Sequence, residues 1–314
     1  LNSVTIGVFA ASPEERAAAC RELAKKSSED DLAFYHTVYQ GKLVCALEPA
    51  RYPEKIQAAL FAAYLSDYCI LLASEPGPQL GELIVLLDSL RKRNGAIVST
   101  DPSRLAPLIK GTCLEAWNAA ATIAEARQLA YSAQAECADG ATKGVVDHAF
   151  EVRGVGSVAL GVLKRGSIKV HDELYAYPQG KALQVRSIQE NDVDVQQASC
   201  GDRFGISFKG LAAADLERGN ILSTENGVKT LSEAECEVSV SKYHRKGLAA
   251  GEALHACIGL QMIPCKVSSA INAGGKARSK VSFEKNVAVD ESDVIVLVDL
   301  NAGALRVAGT ATLA

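Results

Sequence analysis

Ser3-Val4-Thr5-Ile6-Gly7-Val8-Phe9, then Ala10-Ala11-Ser12, then Pro13-Glu14-Glu15 read as a buried strand, a tight turn and the start of a helix over 13–25. This is the outline of a phosphate-binding loop, in which G-x-x-x-x-G-K-[ST] offers backbone amides and a lysine to the phosphates. Gly7 stands at the first glycine, Ser12 at the second, Pro13 at the lysine and Glu14 at the Mg-binding hydroxyl. The helix start is closed on itself instead. Ser12 is a favoured N-cap, Pro13 suits the first helical position, and Glu15 completes a capping box. The leading amides are thereby taken, and Glu14 and Glu15 add negative charge at the positive end of the helix dipole. A triphosphate is expected to be repelled there.

The 314 residues suggest about two domains on length alone. Hydrophobic residues make up 48% and aromatics only 5%, which predicts cores of Val, Ile, Leu and Ala. A net charge of −4 argues against DNA and non-specific nucleic-acid binding but leaves room for a local basic face on RNA. The nine cysteines are scattered, with no C-x-x-C and no Cys/His zinc spacing. They read as small buried hydrophobes in a reducing cytosol, with no metal and no cofactor. No apolar stretch reaches bilayer length and no signal peptide opens the chain, so a cytoplasmic protein without a membrane partner is expected.

Up to about residue 138 strands alternate with helices. Segments 31–39 and 42–48 predict a hairpin turned at Gln40-Gly41, and 53–65, 79–93, 102–110 and 118–133 predict helices. Segments 68–74 and 96–99 predict strands, giving a parallel sheet covered on both sides. A short linker, 139–144, comes next. Helical spacing then disappears, and short β-rich runs take over at 145–152, 157–164, 173–177, 183–189 and 203–208. Further runs at 233–241, 254–260, 265–271 and 294–300 predict a second unit. The fold class expected is α/β plus all-β: a doubly wound domain over 1–138 and two barrels over 145–226 and 228–314.

The middle of the chain carries a resemblance. Asp147-His148-Ala149-Phe150, Gly154-Val155-Gly156-Ser157-Val158-Ala159-Leu160-Gly161-Val162 and Lys164-Arg165-Gly166 come in order. Val185-Arg186-Ser187-Ile188-Gln189, Gly201-Asp202-Arg203-Phe204-Gly205 and Asp215-Leu216-Glu217-Arg218-Gly219 come after them. This resembles the second domain of elongation factor Tu, and most nearly the archaeal branch similar to the selenocysteine-specific factor, including the methanogen form linked to pyrrolysine. The resemblance implies a GTPase domain followed by two barrels, with aminoacyl-tRNA held across all three and hydrolysis triggered by the ribosome. Gly154, Gly156 and Gly161 read as bulges or barrel corners within strands, because no helix follows as a dinucleotide fingerprint requires.

The implied GTPase motifs fail together. Only 26–31 is available for the switch that carries a Mg-binding threonine. Glu48-Pro49-Ala50-Arg51 and then Tyr52 replace D-x-x-G and its catalytic histidine. Thr100-Asp101-Pro102-Ser103 replaces N-K-x-D, so Ser103 stands where an aspartate would read guanine; Trp117-Asn118 leads into predicted helix with no S-A-K. Phosphoryl transfer is nearly all positioning and electrostatics from these parts. Gly7, Ser12, Pro13, Glu14 and Ser103 therefore mark a degenerate site. None of the five histidines lies in a nucleophile motif, so no catalytic residue is assigned.

By the resemblance, the 3′ end of tRNA would meet Gln189, Asp192 and Arg203, where the family commonly has Glu, Arg and Asn. Lys242, Arg245 and Lys246 surround Tyr243 and His244 and form a candidate contact to an RNA backbone. Arg91-Lys92-Arg93 is accounted for by a helix end, where cations suit the dipole. The expected protein is an elongation-factor-like pseudo-GTPase that binds tRNA, the ribosome or other translation proteins without hydrolysing GTP. The rivals are an active GTPase with divergent motifs and a protein-binding scaffold outside translation.

Overall fold

The computed structural model describes residues 3–224 and 226–314. Strand β1 (Ser3–Phe9) is buried on both faces because it lies inside the first sheet. Helix α1 (Pro13–Leu23), β2 (Lys25–Glu29), β3 (Ala33–Tyr39) and β4 (Lys42–Glu48) come after it. Next are α2 (Ile56–Leu65), β5 (Tyr68–Leu72), α3 (Pro78–Ser89), β6 (Gly95–Val98), α4 (Pro102–Ile109), β7 (Asn118–Ala120) and α5 (Ile123–Ser132). The seven strands run in the order β2-β3-β4-β1-β5-β6-β7. From β4 to β7 every pairing is parallel, and β2, β3 and β4 pair antiparallel. Small residues of α1 and α5, among them Ala19, Cys20, Ala126 and Ala130, cover one face, and α2 and α3 cover the other.

Helix α2 is apolar around almost its whole circumference, the mark of a helix with no solvent face. It sits between its own sheet and two β-barrels, in one core with Val145 and Val162 of the first barrel and Leu260 and Val298 of the second. The first barrel starts with β8 (Lys143–Val152) and β9 (Gly156–Arg165) and is completed by Glu173–Tyr177, Lys181–Glu190, Arg203–Lys209 and Ile221–Ser223. Pairing of Glu173–Tyr177 with Lys181–Glu190 closes the ring. The second barrel is a closed ring containing Lys229–Val240, Ala253–Ile258, Gln261–Val267, Lys276–Val289, Ile295–Val298 and Val307–Leu313. The α/β sheet followed by two barrels is the fold class expected from the sequence.

Several local expectations are corrected. Residues 118–133 are not one helix: Asn118–Ala120 adds a parallel edge strand beside β6, and the helix begins only after Thr122, whose hydroxyl accepts the Glu125 N–H at 3.2 Å. The short stretch after α1, available for the switch in the sequence, forms the edge strand β2, paired antiparallel to β3. Gly154 turns the chain between β8 and β9 with φ of 83°, and Gly156 opens β9 opposite Val152 with φ of 102°. Gly161 does lie within β9, where a Cβ would come 2.3 Å from the Val145 carbonyl oxygen. Strands Lys276–Val289 and Val307–Leu313 go beyond the runs expected from the sequence, since their exposed charged and small residues blur the alternation.

The cysteines are corrected too. Cys137 and Cys200 form a disulfide across 63 residues, tying the segment after α5 to a turn of the first barrel. Of the seven free cysteines, six are buried as expected. The bridge has no local signature because its halves meet only when the sheet unit docks on the barrel.

Candidate functional site

At the start of α1 the Ser12 hydroxyl oxygen accepts the Glu15 N–H at 3.3 Å, as an N-cap does. The reciprocal half of the box differs, because the Ser12 hydroxyl donates to Glu14 Oε2 at 2.8 Å. That bond, with a further backbone one, holds the Glu14 carboxyl below its usual range. Pro13 occupies the first helical turn. Gly7 is inside the sheet, where a Cβ would lie 2.2 Å from Ser66 Oγ and 2.8 Å from the Phe9 ring. Close packing against the end of α2 therefore accounts for this glycine. Ser103, exposed in the first turn of α4, donates to Asp101.

The group that fills this region is Arg16, which no sequence motif singles out. It projects from the inner face of α1 with 0% exposure. Its Nη1 donates to the Ala10 carbonyl at 2.7 Å, and its Nη2 to the carbonyls of Tyr52 at 2.6 Å and Pro49 at 3.2 Å. Its Nε lies 3.6 Å from Glu48 Oε2, and the guanidinium carbon lies 5.6 Å from the Tyr52 ring centre. Burial raises the Glu48 carboxyl, while a hydrogen bond from the Tyr35 hydroxyl at 2.8 Å and the charge of Arg16 oppose that rise. One buried cation thus joins the end of β1 to the loop after β4.

A cleft of about 570 Å³ opens between β2 and β3 of the sheet and the first barrel. Gln189, Asp192 and Arg203, named together on the resemblance, all line it, together with Lys25, His36 and His148. Asn191 and Asp192 form the turn after Gln189 with φ of 48° and 63°, which short polar side chains tolerate best. Gln189 Nε2 donates to Asp194 Oδ1 at 2.9 Å. The Arg203 guanidinium stacks 4.3 Å from the Phe34 ring centre and lies 3.5 Å from Asp147 Oδ2, so it spans sheet and barrel.

Asp147 is the hub of that contact. It is 2% exposed, with Arg218 Nη2 at 2.8 Å and His148 Nδ1 at 3.4 Å. Burial alone would raise its carboxyl, but the His148 hydrogen bond and the charges of Arg203 and Arg218 outweigh it and hold it far below the usual range. The same hydrogen bond raises the His148 imidazole. Arg218 also reaches Asp31 at 2.6 Å and stacks on Phe61. The sequence shows Asp147 and His148 as neighbours; nothing in it pairs them with Arg218.

Lys242, Arg245 and Lys246 line a wider groove, about 1230 Å³, between α3, α4 and the second barrel. Lys246 is held by Glu252 at 2.6 Å and Asp299 at 2.7 Å, and Lys242 lies 5.0 Å from the Tyr243 ring centre. His244 is buried rather than displayed.

Comparisons with known proteins agree with this architecture. The family profile of elongation factor Tu domain 2 matches residues 156–223. An uncharacterized protein of Methanocaldococcus jannaschii is 33% identical over 299 residues, covering 93% of this chain and 95% of that protein. The selenocysteine-specific elongation factor of the same organism is 30% identical over 183 residues, 52% of this chain and 39% of the factor. Elongation factor 1-alpha of Pyrobaculum aerophilum is 25% identical over 152 residues, 48% of this chain and 34% of the factor. The crystal structure of translation elongation factor SelB from Methanococcus maripaludis in complex with the GTP analogue GppNHp superposes with a TM-score of 0.82 at 20% identity. That superposition covers 100% of this chain and 79% of SelB.

Proposed function

This chain belongs to the SelB-like family of translation elongation factors, and we propose that it works there as a pseudo-GTPase, binding tRNA or the ribosome without turning over GTP. The observation that carries the reading is Arg16. Its guanidinium occupies the space between Ala10 and the loop of Pro49 and Tyr52. In a phosphate-loop protein these two segments face the phosphates and Mg²⁺. A nucleotide entering would have to displace a buried cation whose two Nη groups bond to the carbonyls of Ala10, Pro49 and Tyr52 and whose Nε faces a carboxylate, a rearrangement of about 3–5 kcal/mol. Glu14 would also meet the phosphates with like charge.

Without a nucleotide switch, the contacts between the sheet and the barrels are permanent features of the fold. Arg203, stacked on Phe34, and Arg218, paired with Asp31, hold the first barrel, and Arg306 ties the second to α3. The cleft that Arg203 lines would offer the Gln189 side-chain carbonyl, the Lys25 ammonium and Lys26, which now pairs with Glu29, to the acceptor end of a tRNA. Lys242 and Arg245 add contacts to an RNA backbone. The protein would act in the cytoplasm as a static factor, not a cycling one.

Isothermal titration with GTP and GDP in Mg²⁺ tests the first half of this reading. No heat of binding is expected, and sub-millimolar affinity refutes it. Sedimentation with ribosomes and anisotropy with labelled tRNA, each at two salt concentrations, test the second half. Failure to bind either RNA partner leaves a scaffold outside translation.

A further inference from the structure

Where the sheet and both barrels meet, a smaller cleft of about 280 Å³ is lined by Arg91, Lys92, Arg93, Lys143, Lys164 and Arg165. Most of these cations are committed. Lys143 and Arg165 pair with Asp290, and Lys143 also pairs with Asp293 at 2.6 Å. Lys164 donates to the Leu65 carbonyl at 2.7 Å and faces Asp67, and Lys92 donates to the Ser66 carbonyl. These two lysines serve the negative end of α2. Arg91 and Arg93 are different. Among the described residues neither side chain has an ion pair or hydrogen bond, and both are exposed. The one remaining carboxylate of the cleft, Glu136, accepts from the Asn94 amide. The junction therefore keeps a positive surplus on a chain whose net charge is −4.

Arg91 sits in a conformation that its side chain does not favour. Helix α3 ends in a Schellman turn: Arg91 N–H donates to the Asp88 carbonyl at 2.8 Å and Lys92 N–H to the Leu87 carbonyl at 3.0 Å. Arg91 takes the left-handed position, φ 53°, where glycine is the unstrained residue. The helix dipole explains a cation near this end but not an arginine at this position. A residue held against its backbone preference points to a use for its side chain.

We propose that this three-way junction binds a compact anion bearing two or more phosphate groups, with Arg91 and Arg93 as its ligands. Two separate guanidiniums, each suited to bidentate contact with a phosphate, call for more than one such group. Cys200, tied to Cys137 by the disulfide, also lines the cleft. A free oligophosphate and the backbone of an RNA share this chemistry. Neither Arg91 nor Arg93 lines the acceptor-end cleft, so this site stands apart from the function proposed above.

Titration calorimetry of the full chain with sodium tripolyphosphate and with a short oligouridylate RNA tests it, alongside the variants Arg91→Gly and Arg93→Gln. The wild type is expected to bind one of the probes with affinity that falls as salt rises. Each variant should lose about tenfold or more in affinity. Arg91→Gly should melt at the same temperature or higher, because glycine relieves the turn. Binding of tripolyphosphate alone supports a free oligophosphate, and binding of the RNA supports its backbone. The proposal is overturned if neither probe binds, if the variants bind like the wild type, or if Arg91→Gly melts lower, which would make the arginine structural.

Discussion

The carboxylate of Glu82 receives three hydrogen bonds from Arg306: from the backbone N–H at 2.8 Å, from Nε at 2.9 Å and from Nη2 at 2.6 Å. Glu82 lies on α3 and is 2% exposed; Arg306 directly precedes the last strand of the second barrel. The pair fixes how the sheet unit sits on that barrel. Removing the carboxylate leaves a largely buried guanidinium without its partner. Glu82→Ala should lower stability by about 3–5 kcal/mol, read as the shift of a urea unfolding midpoint. A shift under about 0.5 kcal/mol would mean that the interface does not depend on this pair.

Arg16 gives a second expectation. Arg16→Met keeps the bulk but strands the carbonyls of Ala10, Pro49 and Tyr52 and leaves the Glu48 carboxylate unpaired. The loss should be about 3–5 kcal/mol. The variant should still bind no GTP, because Pro13 and Glu14 supply neither the phosphate lysine nor the Mg-binding hydroxyl. Calorimetry on the folded variant reads this directly, and appearance of GTP binding would mean that Arg16 alone blocks the site.

Glu190 sets a pH dependence. It is 4% exposed beside Asp202, and burial and that neighbouring charge push its carboxyl up to about 7. The folded chain therefore keeps a proton that the unfolded chain releases near the ordinary carboxylate range. This contribution is full below that range and is lost as pH rises to about 7. Urea midpoints should fall over this window in the wild type and fall less in Glu190→Gln. Equal slopes in the two proteins would remove Glu190 as the cause.

The Cys137–Cys200 bridge closes a 63-residue loop between the sheet unit and the barrel. On chain entropy alone, Cys200→Ser should cost about 4 kcal/mol. Melting the wild type with and without reductant gives the same comparison. Alkylation under denaturing, non-reducing conditions should leave Cys137 and Cys200 unlabelled in the wild type. Labelling of all nine cysteines would show that the bridge is not formed.

The sequence by itself determined what depends on near neighbours. The Ser12 cap, the Gln40-Gly41 turn with both φ positive, the alternation of strand and helix and the change to short strands near residue 144 arise from propensities over a few positions. Strand Lys42–Glu48 is legible to the residue because its pattern is uninterrupted. The tertiary structure decided what depends on distant partners. Arg16 meets Pro49 across 33 residues, Arg218 meets Asp31 across 187, and Cys137 meets Cys200 across 63. Asn118–Ala120 became a strand because β6 offered an open edge, which no local pattern records. A side chain's charge and size are written in the chain, but its partner is chosen by packing, and in this protein the partners set how the sheet sits on both barrels.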